Sequence, residues 1–332
     1  MPSNPQELDY ADVQALVQQS PDSVLVVGNG LSISFAGQRL DWQALREVVV
    51  ANGMSPVAAR AFEVIDSADF EGAARLLHET SEMLRNDHPE VAERYAAESA
   101  KLCRDLASAV LEAHPQGWDR PSASQAASCG QFLSDYSRVV TLNYDLLLYW
   151  AVLDSGAICA QDGFGNCSPN DTEALCWKGV DGTRCIEYMH GALHLFSEGL
   201  ETKKLRGTGR GLVQQVADRI RRGSFPLVVA APTSKAKEKI IGRSPYLNAV
   251  YRRLAGPADV IVTFGWSASP QDQHVVSAIA NSRCRTVCVG CHGLNGGITG
   301  SLAEFTRKLL AARKQVVHFD TTCLNVWGPR AS

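Results

Sequence analysis

A chain of 332 residues with 45% hydrophobic and only 20% charged content can bury a sizeable core. That excludes a disordered protein and makes one domain spanning 1–332, carrying at most an insertion, the default. A formal net charge of -3 removes the electrostatic basis for direct nucleic-acid binding, which rests on clustered Lys and Arg against phosphates.

The first elements follow from the amino terminus. Met1 to Gln19 is polar and acidic where a signal peptide needs a basic start and an apolar core. No later apolar run reaches membrane-spanning length, so a cytoplasmic place without membrane contact is expected. Ser23 to Val27 then reads as a buried strand, and it empties into Gly28-Asn29-Gly30-Leu31-Ser32. In such a strand-to-helix turn, glycines let the backbone approach a pyrophosphate. The third glycine of the dehydrogenase fingerprint is missing, and no acidic residue ends a second strand about twenty positions on, which argues against hydride transfer. Asp41 to His114 instead runs with helical periodicity and no strand pattern, far too long for one crossover. It is expected to be a helical insertion (41–114) that either caps the ligand site or supplies an oligomer interface.

Arg138 to Leu142 is the next strand, and Thr141-Leu142-Asn143-Tyr144-Asp145 sits where it ends and the helix Asp145 to Leu153 begins. Asn143 then projects from the carboxyl edge of the sheet, where open α/β sheets bind ligands. An Asn or Asp there can equally be a helix cap. Cys159, Cys167, Cys176 and Cys185 follow at spacings of eight or nine, without the close pairs of a structural zinc. All ten cysteines are expected to be reduced thiols, and no metal is expected. In Tyr188-Met189-His190-Gly191-Ala192-Leu193-His194 a strand-like approach delivers His190 beside a glycine that leaves room for a close ligand. Histidine titrates in the range that general-base work near neutrality needs. His194 reads as structural.

Gly211 to Arg221 and Pro245 to Leu254 are helical, with a weaker strand at Leu227 to Ala230. Val260 to Phe264 is a buried strand ending in Gly265-Trp266-Ser267, whose glycine and serine suit a ribose or phosphate. Asp272 is a further candidate, although Asp272 and His274 are equally readable as surface groups of the helix Gln271 to Ala280. Thr286 to Val289, the helix Ser301 to Arg313 and a weaker strand at Gln315 to His318 complete the pattern. Cys288-Val289-Gly290-Cys291-His292 spells a haem-attachment pattern by coincidence, within a strand end. The alternation predicts an α/β, Rossmann-like doubly wound parallel sheet.

In this order the four motifs resemble the sirtuin family: Gly-x-Gly-x-Ser after the first strand, Thr-x-Asn-x-Asp, His-Gly, then a Gly-x-Ser strand end. The resemblance is closest to bacterial sirtuin-like proteins of antiviral defence that lack the zinc ribbon. It implies a sirtuin-like fold with NAD as substrate. It makes Gly28, Asn29, Gly30, Ser32, Asp145, Gly265, Ser267 and Asp272 binders of the dinucleotide, and Asn143 and His190 the catalytic pair, His190 as base. Asn29 departs from the usual alanine, and Pro226 to Lys239 lacks the acyl-peptide groove pattern. The activity expected is therefore cleavage of NAD to nicotinamide and ADP-ribose, regulated through a homo-oligomer, a partner ATPase or a nucleotide-signal protein. The alternatives are a sensor that binds NAD or ADP-ribose without turnover, or an NAD-dependent protein deacylase.

Overall fold

In the chain's first long strand every side chain is Val, Leu or Ser and every position is buried, so neither face of the strand can meet water. The computed structural model, which describes residues 5–114, 120–155, 162–168, 173–179, 185–207, 211–222, 224–294 and 297–328, answers that demand with a parallel sheet covered by helices. The elements run β1 (Gln6–Glu7), α1 (Tyr10–Gln18), β2 (Ser23–Val27), α2 (Gly30–Ala36), α3 (Trp42–Ala51), α4 (Pro56–Ile65), α5 (Phe70–Leu84), α6 (Pro89–Ala113), α7 (Ala123–Ser134), β3 (Arg138–Thr141) and α8 (Leu147–Ser155). There follow β4 (Phe164–Asn166), β5 (Ala174–Trp177), β6 (Cys185–Tyr188), β7 (Gly191–Glu198), β8 (Glu201–Leu205), α9 (Leu212–Arg221), β9 (Pro226–Val228), α10 (Ser234–Arg243) and α11 (Pro245–Leu254). Last come β10 (Val260–Phe264), α12 (Gln273–Asn281), β11 (Thr286–Cys291), α13 (Gly300–Ala311) and β12 (Gln315–Asp320).

The main sheet has the order β1-β12-β11-β10-β2-β3-β6, and each of these pairings is parallel. From β2 the chain steps outward through β3 to β6, then returns to the other side of β2 and steps outward again through β10, β11 and β12. The fold is therefore α/β, Rossmann-like and doubly wound. Its topological switch point lies between β2 and β10, which align Val260 with Ser23 and Phe264 with Val27.

Helices α3 to α6 stand between β2 and β3, and each of α3, α4 and α5 is started by a side-chain cap: Asp41 accepts from Ala44 N–H, Ser55 from Ala58 N–H and Asp69 from Glu71 N–H. Phe62, Phe70, Leu77, Leu102 and Leu106 close their shared core.

A second, five-stranded antiparallel sheet, β4-β5-β8-β7-β9, was not foreseen. The segment Leu227 to Ala230, read as a strand of the main sheet, falls partly in β9 of this second sheet. Beside the β4–β5 hairpin, Cys167 and Cys176 form a disulfide with their Cα atoms 4.8 Å apart. That corrects the expectation that every cysteine is a reduced thiol, since antiparallel pairing brings two residues nine positions apart into bonding range. Cys159 lies outside the described residues.

Gly191 begins β7 at φ +76°, and a Cβ there would land on the carbonyl oxygen of Leu227. The room beside His190 is thus filled by main chain of the facing strand and not by a ligand. Gly191→Ala combines a left-handed backbone penalty with overpacking at the β7–β9 pairing, for an expected loss of at least about 2 kcal/mol. Urea unfolding measures it, and an unshifted midpoint would contradict the strand contact.

Candidate functional site

At the switch point two glycine-bearing loops lace together. Gly28 N–H donates to the Phe264 carbonyl at 3.0 Å and Gly30 N–H to the Gly265 carbonyl at 2.8 Å. A Cβ on Gly28 would stand 2.7 Å from the Gly265 oxygen, and one on Gly30 would stand 2.5 Å from the Gly265 Cα. Gly265 itself takes φ +62°. The first demand on these glycines is closure of loop on loop, and their N–H groups are spent on it. What the closure leaves is a cavity of about 760 Å³ at the carboxyl edge of the sheet.

The walls of that cavity include Gly28, Asn29 and Gly30 from the first loop, and Gly265, Ser267 and Asp272 from the loop after β10. Asn143 and Asp145 after β3, and His190 after β6, line it too. Ser32 does not line it; it is buried one layer behind. From there it ties two of the others together. Asn143 Nδ2 donates to the Gly28 carbonyl at 3.1 Å and to Ser32 Oγ at 2.9 Å, and Ser32 Oγ donates to Asp145 Oδ2 at 2.5 Å. Asp145 Oδ1 accepts the Leu147 N–H at 2.9 Å, a cap at the start of α8. Both amide hydrogens of Asn143 are thereby used, and its amide oxygen makes no hydrogen bond among the described residues.

His190 is 2% exposed. Its Nε2 lies 2.8 Å from His274 Nε2, and the main chain of Leu142 hydrogen-bonds the ring as well. His274 is held in turn by Ser234, whose Oγ accepts the His274 N–H at 2.8 Å and lies 3.2 Å from Nδ1. Burial and the nearby Lys237 ammonium push His190 well below the ordinary histidine range, so it is neutral at neutral pH. Burial likewise lowers His274 to about 4. His194 is fully buried against Tyr149 and Tyr188, away from this cluster.

Sequence reasoning missed an ion cluster. Lys237 on α10 is 1% exposed, with Nζ 2.7 Å from Glu71 Oε1 on α5 and 2.9 Å from Asp272 Oδ1. Asp272 Oδ2 accepts from Trp266 Nε1 at 3.0 Å. Burial raises Glu71 to about 7 against the pull of Lys237. Burial acts on Asp272 too, but Lys237, His190 and the Trp266 hydrogen bond outweigh it and hold that carboxyl below the usual carboxylate range. Lys237, despite its burial, is held charged by the two acids. His190, Asp272 and His274 bring donor atoms within 4.8 Å of one another, a set able to hold a metal ion, yet the Lys237 ammonium already supplies positive charge to Asp272. The one available signal for Lys237 is its spacing of four from Ile241, which puts both on the buried face of α10.

A family model described as a domain of unknown function, DUF4917, matches residues 25–327. No curated protein matches the chain. Among solved structures, a Sir2 homologue in complex with NAD is 13% identical over 93% of this chain and 95% of its own, at a TM-score of 0.38. A structure bearing on the mechanism and regulation of Sir2 enzymes is 12% identical over 93% and 98%, at a TM-score of 0.35. Overlaps this loose leave the chemistry to the residues themselves.

Proposed function

This chain belongs to the DUF4917 family, and we propose that it hydrolyses NAD at the nicotinamide–ribose bond, releasing nicotinamide and ADP-ribose. The observation that carries the reading is the convergence of the Gly28 turn, Asn143 and His190 on one cavity at the switch point. Its volume of about 760 Å³ suits a small-molecule ligand. Asp41, Asp69, Glu71, Asp145 and Asp272 line it against the single lysine Lys237. Negative walls favour the cationic nicotinamide ring and the oxocarbenium-like carbon formed as it leaves. Ser267 and Ser269 offer hydroxyls for sugar and phosphate oxygens.

In this mechanism the free amide oxygen of Asn143 orients a ribose hydroxyl or the attacking water, and neutral His190 takes a proton from the ribose hydroxyl. A role as a regulated effector of antiviral defence, switched through a homo-oligomer, a partner ATPase or a nucleotide signal, rests on the resemblance of the ordered motifs and belongs to the same proposal.

Purified protein incubated with NAD should release nicotinamide, and Asn143→Ala should lower the rate about a hundredfold. A second reading is favoured by the burial of His190 and the engagement of its Nε2 by His274: a module that binds NAD or ADP-ribose without turnover. Saturable NAD binding with no nicotinamide released under any activating condition would select it.

A further inference from the structure

The proposed hydrolysis needs an acceptor for the proton of the attacking water. In the structure His190 is poorly placed for that task, because its Nε2 is engaged by His274 and its ring is also held by the Leu142 main chain. Glu71 is better placed. It lines the same cavity, it is 8% exposed, and only its Oε1 is engaged, by Lys237 at 2.7 Å and more weakly by the Tyr144 hydroxyl at 3.5 Å. Oε2 makes no hydrogen bond among the described residues.

We propose that Glu71, carried into the cavity by α5, is the catalytic residue that takes the proton of the attacking water. The inference rests on the hydrolase reading and assigns its water-activating step. The water oxygen bonds to the ribose C1′ while the C1′–nitrogen bond breaks, and that bond's electron pair passes to the nicotinamide ring nitrogen. The water proton goes to the Glu71 carboxylate and from there to solvent. His190 is left with the ribose hydroxyl, which it reaches by exchanging its His274 contact for that group. Lys237 and Asp272 are positioning residues, Lys237 holding Oε1 so that Oε2 faces the cavity. The helical segment 42–113 is then part of the active site and more than an interface.

The groups around Glu71 set the sign of the pH dependence. Lys237 on α10 favours its ionised form, whereas Asp272 after β10, Asp69 at the head of α5, Tyr144 after β3 and Cys103 on α6 all oppose it once they are charged. Burial adds to that opposition and the carboxyl titrates near 7. A base must be ionised to act, so kcat/KM should rise with pH through about 7.

The test compares the wild type with Glu71→Gln and Glu71→Asp, reading nicotinamide release from pH 5 to 9 and NAD binding by calorimetry. Glu71→Gln should lose about a hundredfold or more in kcat with NAD affinity within a few-fold, and its residual rate should lack the acid limb. Glu71→Asp, which keeps a carboxylate, should retain the limb and part of the rate. An active wild type without an acid limb, or a Glu71→Gln rate within threefold of it, overturns the assignment while leaving the hydrolase reading standing. A wild type that binds NAD and never releases nicotinamide overturns both.

Discussion

Replacing His190 by alanine is expected to lower nicotinamide release from NAD by about a hundredfold to ten-thousandfold, the span covered by removal of a positioned acid or base. The imidazole stands at the carboxyl end of β6, fixed on one side by the main chain of Leu142 and on the other by His274. Burial and Lys237 keep it neutral, so its protonation state should be constant across the neutral range. The His190→Ala rate should therefore fall by the same factor at pH 6 and at pH 8. The variant also empties space in a buried cluster, so its urea midpoint has to be measured beside its rate. His190→Gln, which keeps a hydrogen-bonding group of similar reach, should hold the fold better and recover little activity. A His190→Ala protein that is folded and turns NAD over within a few-fold of wild type would remove the histidine from the chemistry.

The central strands were legible because short runs of apolar, β-branched residues fit burial on both faces of a parallel sheet. β2 and β10 fall at the residues expected, and β3 ends one residue earlier than read. The strand ends then placed Gly28, Asn143, His190 and Gly265 at one edge, since in a doubly wound sheet the carboxyl ends share a side. The second sheet was illegible for the opposite reason. β8 reads Glu-Thr-Lys-Lys-Leu, and its lysines look solvated until Lys204 is seen buried beside Asp162. β4 and β5 are three and four residues long, too short for alternation to show. The ion cluster was hidden by the same habit of reading charge as surface. Glu71, Lys237 and Asp272 come from segments separated by more than thirty residues at the least, and only the tertiary fold cancels their charges. Asp272 and His274, readable as exposed in the first helical turn, are both buried, because the turn at Pro270–Asp272 tucks under α10.

Lys237→Met should be the most destabilising single change in the site, by about 3–5 kcal/mol at neutral pH, because it leaves two buried acids without their cation. Methionine nearly matches the volume, so the loss is electrostatic and should depend on pH. In the wild type, Asp272 is depressed by Lys237, so it contributes stability above its unfolded value that is lost as pH falls through the folded one. Glu71 is raised, so its contribution is present below about 4.5 and is lost as pH rises through about 7. Removing the ammonium lets both carboxyls drift upward and bind protons, which relieves the repulsion only in acid. The gap between wild type and Lys237→Met should thus be widest at pH 8 and narrow towards pH 5. Urea melts at the two pH values decide the matter, with Lys237→Arg as the variant that keeps the charge. A gap that is flat with pH would assign the loss to packing, and the cluster would then hold α5 and α10 together without setting the charge of the cavity.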